Sequence, residues 1–144
     1  MFMKTVKHLL DAKGQGVWSI GADAPVFDAV KMMAEKEIGA LIVKDGEKIV
    51  GIVSERDYAR KVILKGRSSK ETPTRDIMTE RVVYVNLKMA VEECMALMTE
   101  KGIRHLPVFD EDELVGMLSA RDLLKATIDE QKYTIEQLER YITG

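Results

Sequence analysis

Apolar residues recur along this chain in two rhythms. Val26, Ala29, Val30, Met33 and Ala34 follow helical spacing and make one apolar stripe. The runs at 40–43 and 49–53 are short and compactly apolar, as buried strands are. Asp45-Gly46 between them suits a tight hairpin turn that needs positive φ. With a short strand at 17–20 and a helix from Ser54 to about 64, the pattern predicts strand, helix, strand, strand, helix. Asp23 is placed to cap the first of these helices, with Pro25 tolerated in its first turn. The order then returns: a strand at 82–85, a helix at 89–101 with Gly102 as its cap, strands at 106–109 and 114–118, and a helix capped by Ser119.

The second set repeats the first at a constant offset of 65 residues. Val50-Gly51-Ile52-Val53-Ser54-Glu55-Arg56-Asp57 matches Val115-Gly116-Met117-Leu118-Ser119-Ala120-Arg121-Asp122. The register runs upstream without a gap through Val43/Val108, Met33/Met98 and Val26/Val91. A unit this small rarely closes a core alone, so two units packed face to face as a pseudo-twofold body are expected. A cleft between them would carry two related sets of groups.

Three segments lie outside the repeat. Residues 4–12 read as a short amphipathic helix through Val6, Leu9 and Leu10, and 74–78 as its counterpart before the second repeat. Residues 65–73 are polar and turn-rich, a linker. After Thr127 a terminal helix presents Tyr133, Leu138, Tyr141 and Ile142 with no obvious partner inside the repeats. The expected divisions are 1–66 for the first repeat with its N-terminal helix, 67–128 for linker and second repeat, and 129–144 for the terminal helix.

The length of 144 residues is that of one domain with a core that needs no staples. A net charge of −2 argues against a broad nucleic-acid footprint. The single cysteine, Cys94, excludes an internal disulfide and a multi-cysteine zinc site, and sits at a helical core position opposite Ala29 in the repeat. No apolar run has the ~18 residues of a membrane span, and the first residues do not read as a signal peptide, so the expected compartment is the cytoplasm.

The duplicated Ser-x-Arg-Asp is the candidate for chemistry. A serine followed three residues later by an acid is a capping box, which explains both serines. It does not require the arginine before each aspartate, or the glycine three residues before each serine. A helix N-terminus attracts anions, an arginine fork holds phosphate, and a carboxylate accepts from the paired hydroxyls of a ribose. Acid for sugar beside cation for phosphate is the logic of a nucleotide site, and it stands here beside the capping reading.

The repeated order, ending each time in hydrophobic-Gly-hydrophobic-hydrophobic-Ser-x-x-Asp, resembles the CBS domain, named after cystathionine β-synthase. Gly102-Ile103-Arg104-His105-Leu106-Pro107-Val108 is similar to the second repeats of that family. The resemblance covers about 5–128. It implies an α+β fold of tandem β-α-β-β-α repeats with pseudo-twofold symmetry. It further implies a central cleft for an adenosine-containing ligand: AMP, ADP, ATP, S-adenosylmethionine or NAD. The ribose is implied at Asp57 and Asp122, with Ser54 and Ser119 facing the ligand and Arg56 and Arg121 beside them. The base is implied near Ile38-Gly39-Ala40 in one copy and Ile103-Arg104-His105 in the other. Gly39 and Ala40 leave room for a ring. Arg104 and His105 fill space and add positive charge, so the two sites are expected to differ, with Arg104 serving phosphates of a ligand held on Asp57.

Other features have plainer readings. Arg56, Arg60, Lys61, Lys65, Arg67 and Lys70 make a solvated basic helix face, and Asp110 to Glu113 a solvated turn. Trp18 is expected to fill the core or an interface. No nucleophile triad, metal-ligand spacing or phosphate loop is present. The expected function is therefore a non-enzymatic regulatory module that senses an adenine nucleotide. The partners expected are a second copy in a homodimer and a regulated protein, with no nucleic acid and no membrane. The alternative is an interaction scaffold that senses no ligand.

Overall fold

Each apolar stripe of the sequence is matched by a three-stranded sheet with a helix laid on it. The computed structural model describes residues 4–14 and 16–143. Its elements are α1 (Val6–Lys13), β1 (Ser19–Gly21), α2 (Val26–Lys36), β2 (Ala40–Asp45), β3 (Lys48–Ser54), α3 (Glu55–Tyr58), β4 (Val85–Asn86), α4 (Val91–Lys101), β5 (His105–Asp110), β6 (Glu113–Ser119) and α5 (Ala120–Thr143). The fold is α+β.

The chain forms two compact units rather than the single domain suggested by its length. One spans Val17–Val82. The other joins the segment carrying α1 to the chain from Val83 onward. The expected divisions at 66 and 128 are therefore displaced, for a physical reason. Val6, Leu9 and Leu10 of α1 are buried in the core of the second repeat with Val85, Cys94, Leu106 and Leu118. Ile77, from the segment before the second repeat, is buried with Val26, Met33, Leu41 and Val53 of the first. Each repeat borrows the apolar segment that precedes the other. Nor do 129–143 form a separate helix: they continue α5 without a break.

Within the first unit, β1 runs parallel to β2 and β2 antiparallel to β3, with Ala40 opposite Ser54. Within the second, β4 runs parallel to β5 and β5 antiparallel to β6, with His105 opposite Ser119. Both hairpins carry an irregularity at the same repeat position, Val43/Lys44 and Val108/Phe109. Both αL positions recur as well. Glu37 (φ 55°) and Gly102 (φ 65°) end α2 and α4, and Gly46 (φ 64°) and Glu111 (φ 57°) turn the two hairpins. Only one residue of each pair is glycine, so the backbone is duplicated more faithfully than the sequence.

Local differences from the expected elements have simple causes. Pro25, not Asp23, occupies the N-cap of α2, and the Asp23 carboxylate accepts from Arg75 Nε at 2.8 Å. The opening strands are shorter and later than 17–20 and 82–85, being confined to the residues that pair with β2 and β5. The helix after Ser54 is α-helical only through Tyr58 and then widens into a π-helical turn, Ala59–Ile63. Residues 74–78 form a 3₁₀ turn at Thr74–Asp76, in place of a copy of α1. Trp18 is 47% exposed and does not fill the core; Lys36 Nζ lies 4.1 Å from its ring centroid. Cys94 is fully buried, and burial followed by the charge of Glu93 pushes its thiol up to about 11, so it is inert packing.

Candidate functional site

Each motif sits where an edge strand turns into a helix, and two backbone links fix it there. In the first repeat Glu55 N donates to Gly39 O at 3.1 Å. In the second, Ala120 N donates to Arg104 O at 2.8 Å. Ser54 faces Ala40 across the hairpin, and Ser119 faces His105. In both copies the structure thus brings the serine and aspartate beside the start of the second strand. Ile38, Gly39 and Ala40 accompany Ser54 and Asp57; Ile103, Arg104 and His105 accompany Ser119 and Asp122.

The serines and aspartates make reciprocal caps. Ser54 N and Ser54 Oγ donate to Asp57 Oδ2 at 2.9 and 3.0 Å, and Asp57 N donates back to Ser54 Oγ at 3.2 Å. Ser119 N donates to Asp122 Oδ2 at 2.8 Å, and Asp122 N to Ser119 Oγ at 3.2 Å. The preceding glycines also have a packing cause. A Cβ on Gly51 would lie 2.7 Å from Thr79 O and 2.9 Å from Met78 Sδ, and one on Gly116 would lie 2.6 Å from Leu10 Cδ2. The borrowed segments press on these glycines, which therefore need no ligand to explain them. Arg56 and Arg121 lie on the exposed face of the first helical turn.

Two lysines join the site that the sequence reading did not place there. Lys61 Nζ lies 3.2 Å from Asp57 Oδ1 and donates to Ile77 O at 2.9 Å. Lys13 Nζ donates to Asp122 Oδ2 and to Met117 O, both at 2.7 Å. Each motif aspartate thus meets an ammonium that also holds a main-chain carbonyl. Lys61 is four residues from Asp57 on one helix, so its pairing was available from spacing. Lys13 is 109 residues from Asp122, and no local pattern announces it. Arg67 is likewise drawn out of the solvated basic face, donating to Asp76 at 2.8 Å.

These contacts set the local electrostatics. Partial burial pushes the Asp122 carboxyl up, but hydrogen bonds from Lys13 and from Ser119 outweigh it and leave the group below its ordinary range. His105 is lowered, chiefly by burial and then by the positive charge of Lys13; Asp122 pulls the other way, and Arg104 adds a smaller lowering effect. Its imidazole is held neutral at pH 7. The arrangement offers a carboxylate acceptor, a helix N-terminus and nearby cations, which together suit a sugar bearing phosphate.

The CBS domain model matches residues 15–64 and 75–129, both repeats. The chain belongs to the CBS-domain family. The CBS-domain protein CBSX3 of Arabidopsis thaliana, a mitochondrial protein, is 40% identical over 97% of this chain and 72% of its own length. A CBS-domain protein structure from Burkholderia ambifaria is 50% identical, covers 89% of this chain and 96% of its own, and has a TM-score of 0.86. A hexameric CBS-CP12 protein from bloom-forming cyanobacteria is 32% identical over 86% of this chain and 68% of its own, with a TM-score of 0.76. Some longer plant relatives are matched over only 24% of their length. CBS-domain proteins are in general regulatory or signalling modules and are generally non-catalytic. Such domains commonly bind adenosine-containing ligands and often form oligomers. Among the described residues no helix of this CBS pair is long and apolar enough to cross a membrane.

Proposed function

We propose that this CBS pair is a regulatory module that binds an adenosine-containing nucleotide (AMP, ADP, ATP or NAD) at its motif aspartates, and that it has no catalytic activity of its own. One observation carries the reading. In both repeats the aspartate at the helix N-terminus and the start of the second strand are tied together, so an acceptor for ribose stands beside a place for the base. Asp57 and Asp122 take the ribose hydroxyls, Ser54 and Ser119 line the site, and Arg56, Arg121 and Arg104 supply charge for phosphate. His105 narrows the second site, whereas Gly39 and Ala40 leave the first open. The module acts in the cytoplasm, associates with a second copy of itself, and passes its state to a protein partner.

The scaffold reading has its own support: capping accounts for the serines and aspartates, and packing accounts for the glycines. Calorimetry and thermal melting with AMP, ATP and NAD separate the two. A ligand at 100 times its Kd stabilises the folded state by about 2.7 kcal/mol. Heat of binding with a raised melting temperature for at least one nucleotide is expected. No heat and no shift with any of the three would leave the scaffold.

A further inference from the structure

The last helix outruns its own unit. Leu123 and Ala126 are the last buried side chains of α5, yet the helix continues to Thr143. Every apolar side chain beyond Ala126 among the described residues is exposed, Ile142 by 80%. This overhang is about 17 residues, or roughly 25 Å of helix. A helix of that length is marginal in water without a face to bury.

Its apolar residues are not scattered. Leu124, Ile128, Gln131, Ile135, Leu138 and Ile142 follow one another at alternating steps of four and three. That is the seam of a coiled coil, with Leu124, Gln131 and Leu138 at d and Ile128, Ile135 and Ile142 at a. Isoleucine at a with leucine at d is the combination that favours two parallel strands. We propose that α5 pairs with α5 of a second copy of this chain as a parallel two-stranded coiled coil. This rests on the self-association reading above and gives it a surface.

The flanking residues fit that occupant. In a parallel pair Lys132 and Glu139 at the e positions meet Thr127 and Thr134 at the partner's g positions, so no like charges oppose each other. Asp129, Glu130, Glu136 and Arg140 point away from the seam. A membrane-lying helix instead carries a basic polar face. From Lys125 onward this one has four acids against three bases, which leaves the second copy as the occupant.

Sedimentation equilibrium on the full chain tests the seam. The expected mass at tens of micromolar is twice 16.2 kDa. Ile135→Asp with Leu138→Asp, both exposed within the chain, should give a folded monomer with reduced helical signal. Gln131→Leu removes the polar layer and should lower the dimer dissociation constant at least tenfold. Gln131→Cys should form an intermolecular disulfide on mild oxidation, because parallel pairing sets the two thiols opposite each other and Cys94 is fully buried. A dimer that survives Ile135→Asp/Leu138→Asp overturns this seam but leaves self-association standing. A dimer that does not cross-link through Gln131→Cys overturns the parallel pairing. A monomeric wild-type chain overturns both proposals.

Discussion

Lys13 reaches across its unit to Asp122, with Nζ 2.7 Å from Oδ2, and so places an element from the start of the chain on the motif of the second repeat. The pair is partly exposed, which limits its worth to about 0.5–1 kcal/mol. In the proposed function the same ammonium competes with ribose for the carboxylate. Lys13→Met should therefore tighten adenosine at the second site by about two- to five-fold, the equivalent of that energy. Affinity at the first site should stay the same. Calorimetric titration of adenosine in Asp57→Asn and Asp57→Asn/Lys13→Met backgrounds, where the first site is weakened equally, assigns any difference between the two to the second site. An unchanged or weakened affinity would show that Lys13 does not compete.

His105 predicts a pH dependence. Its folded pKa is lowered while its unfolded pKa is near 6.5, so the unfolded state binds the proton more readily. Stability is then fully present above about pH 6.5 and is lost as pH falls toward the folded value. His105→Gln should flatten denaturant-derived stability between pH 7 and 5. Asp122, also lowered, acts further down: its contribution is present above about pH 4 and is lost as pH falls through its folded value. A wild-type profile that His105→Gln leaves unaltered would remove histidine as the cause.

The two motif glycines should respond unequally to a methyl group. At Gly51 the closest atom is the backbone oxygen of Thr79 at 2.7 Å, which also accepts from Ile52 N and cannot yield cheaply. At Gly116 the obstacle is the far end of the Leu10 side chain. Overpacking costs about 1–3 kcal/mol. Gly51→Ala should fall at the upper end and Gly116→Ala at the lower, measured by urea denaturation. Equal losses would mean that the backbone of the first unit relaxes as easily as a leucine.

Much of this architecture was legible because it depends on local spacing. Helical stripes, hairpin pairs and reciprocal caps need only residues within a few positions of one another, and the 65-residue offset placed them twice. The motif serines and aspartates stand out by the same local order, whereas the second-strand residues beside them were named only through the resemblance to the CBS family. What escaped depends on long-range contacts. The exchange of α1 and Ile77 between repeats, the borrowed Lys13 and the exposure of Trp18 are decided by which apolar surface each segment meets. Local preference also misled at Asp23, where a plausible cap residue is taken by Arg75 from 52 positions away.

The αL positions offer a test of how far the repeat is enforced by backbone. Glu37 and Glu111 hold left-handed conformations that their repeat partners meet with glycine. A non-glycine residue there costs about 1–2 kcal/mol, part of which glycine gives back through unfolded-chain entropy. Glu37→Gly and Glu111→Gly should each stabilise by up to about 1 kcal/mol. Gly102→Ala should destabilise by about 1 kcal/mol. Thermal melts of the three variants check the signs, and destabilisation by Glu111→Gly would reveal a contact that the glutamate side chain provides.

The two aspartates should not be equivalent toward ligand. Lys61 stands 3.2 Å from Asp57 Oδ1, a looser hold than the 2.7 Å contact of Lys13 with Asp122. Ala40 lies opposite Ser54, whereas the imidazole of His105 lies opposite Ser119. Asp57 thus has the weaker internal competitor and the roomier neighbour, so it should serve the tighter site. An asparagine keeps one carbonyl oxygen for the cap but loses the charged acceptor that ribose needs. Hydrogen bonds to charged groups contribute about 1.5–3 kcal/mol, or roughly ten- to 150-fold in affinity. Asp57→Asn should produce a loss of that size at the tighter site, and Asp122→Asn should leave that site nearly unchanged. Arg104→Ala should weaken AMP more than adenosine, since only the nucleotide carries phosphate. Titrating these three variants with AMP and adenosine decides the matter. Equal losses for the two aspartates would contradict the asymmetry, and an Arg104→Ala effect independent of phosphate would take Arg104 out of the site.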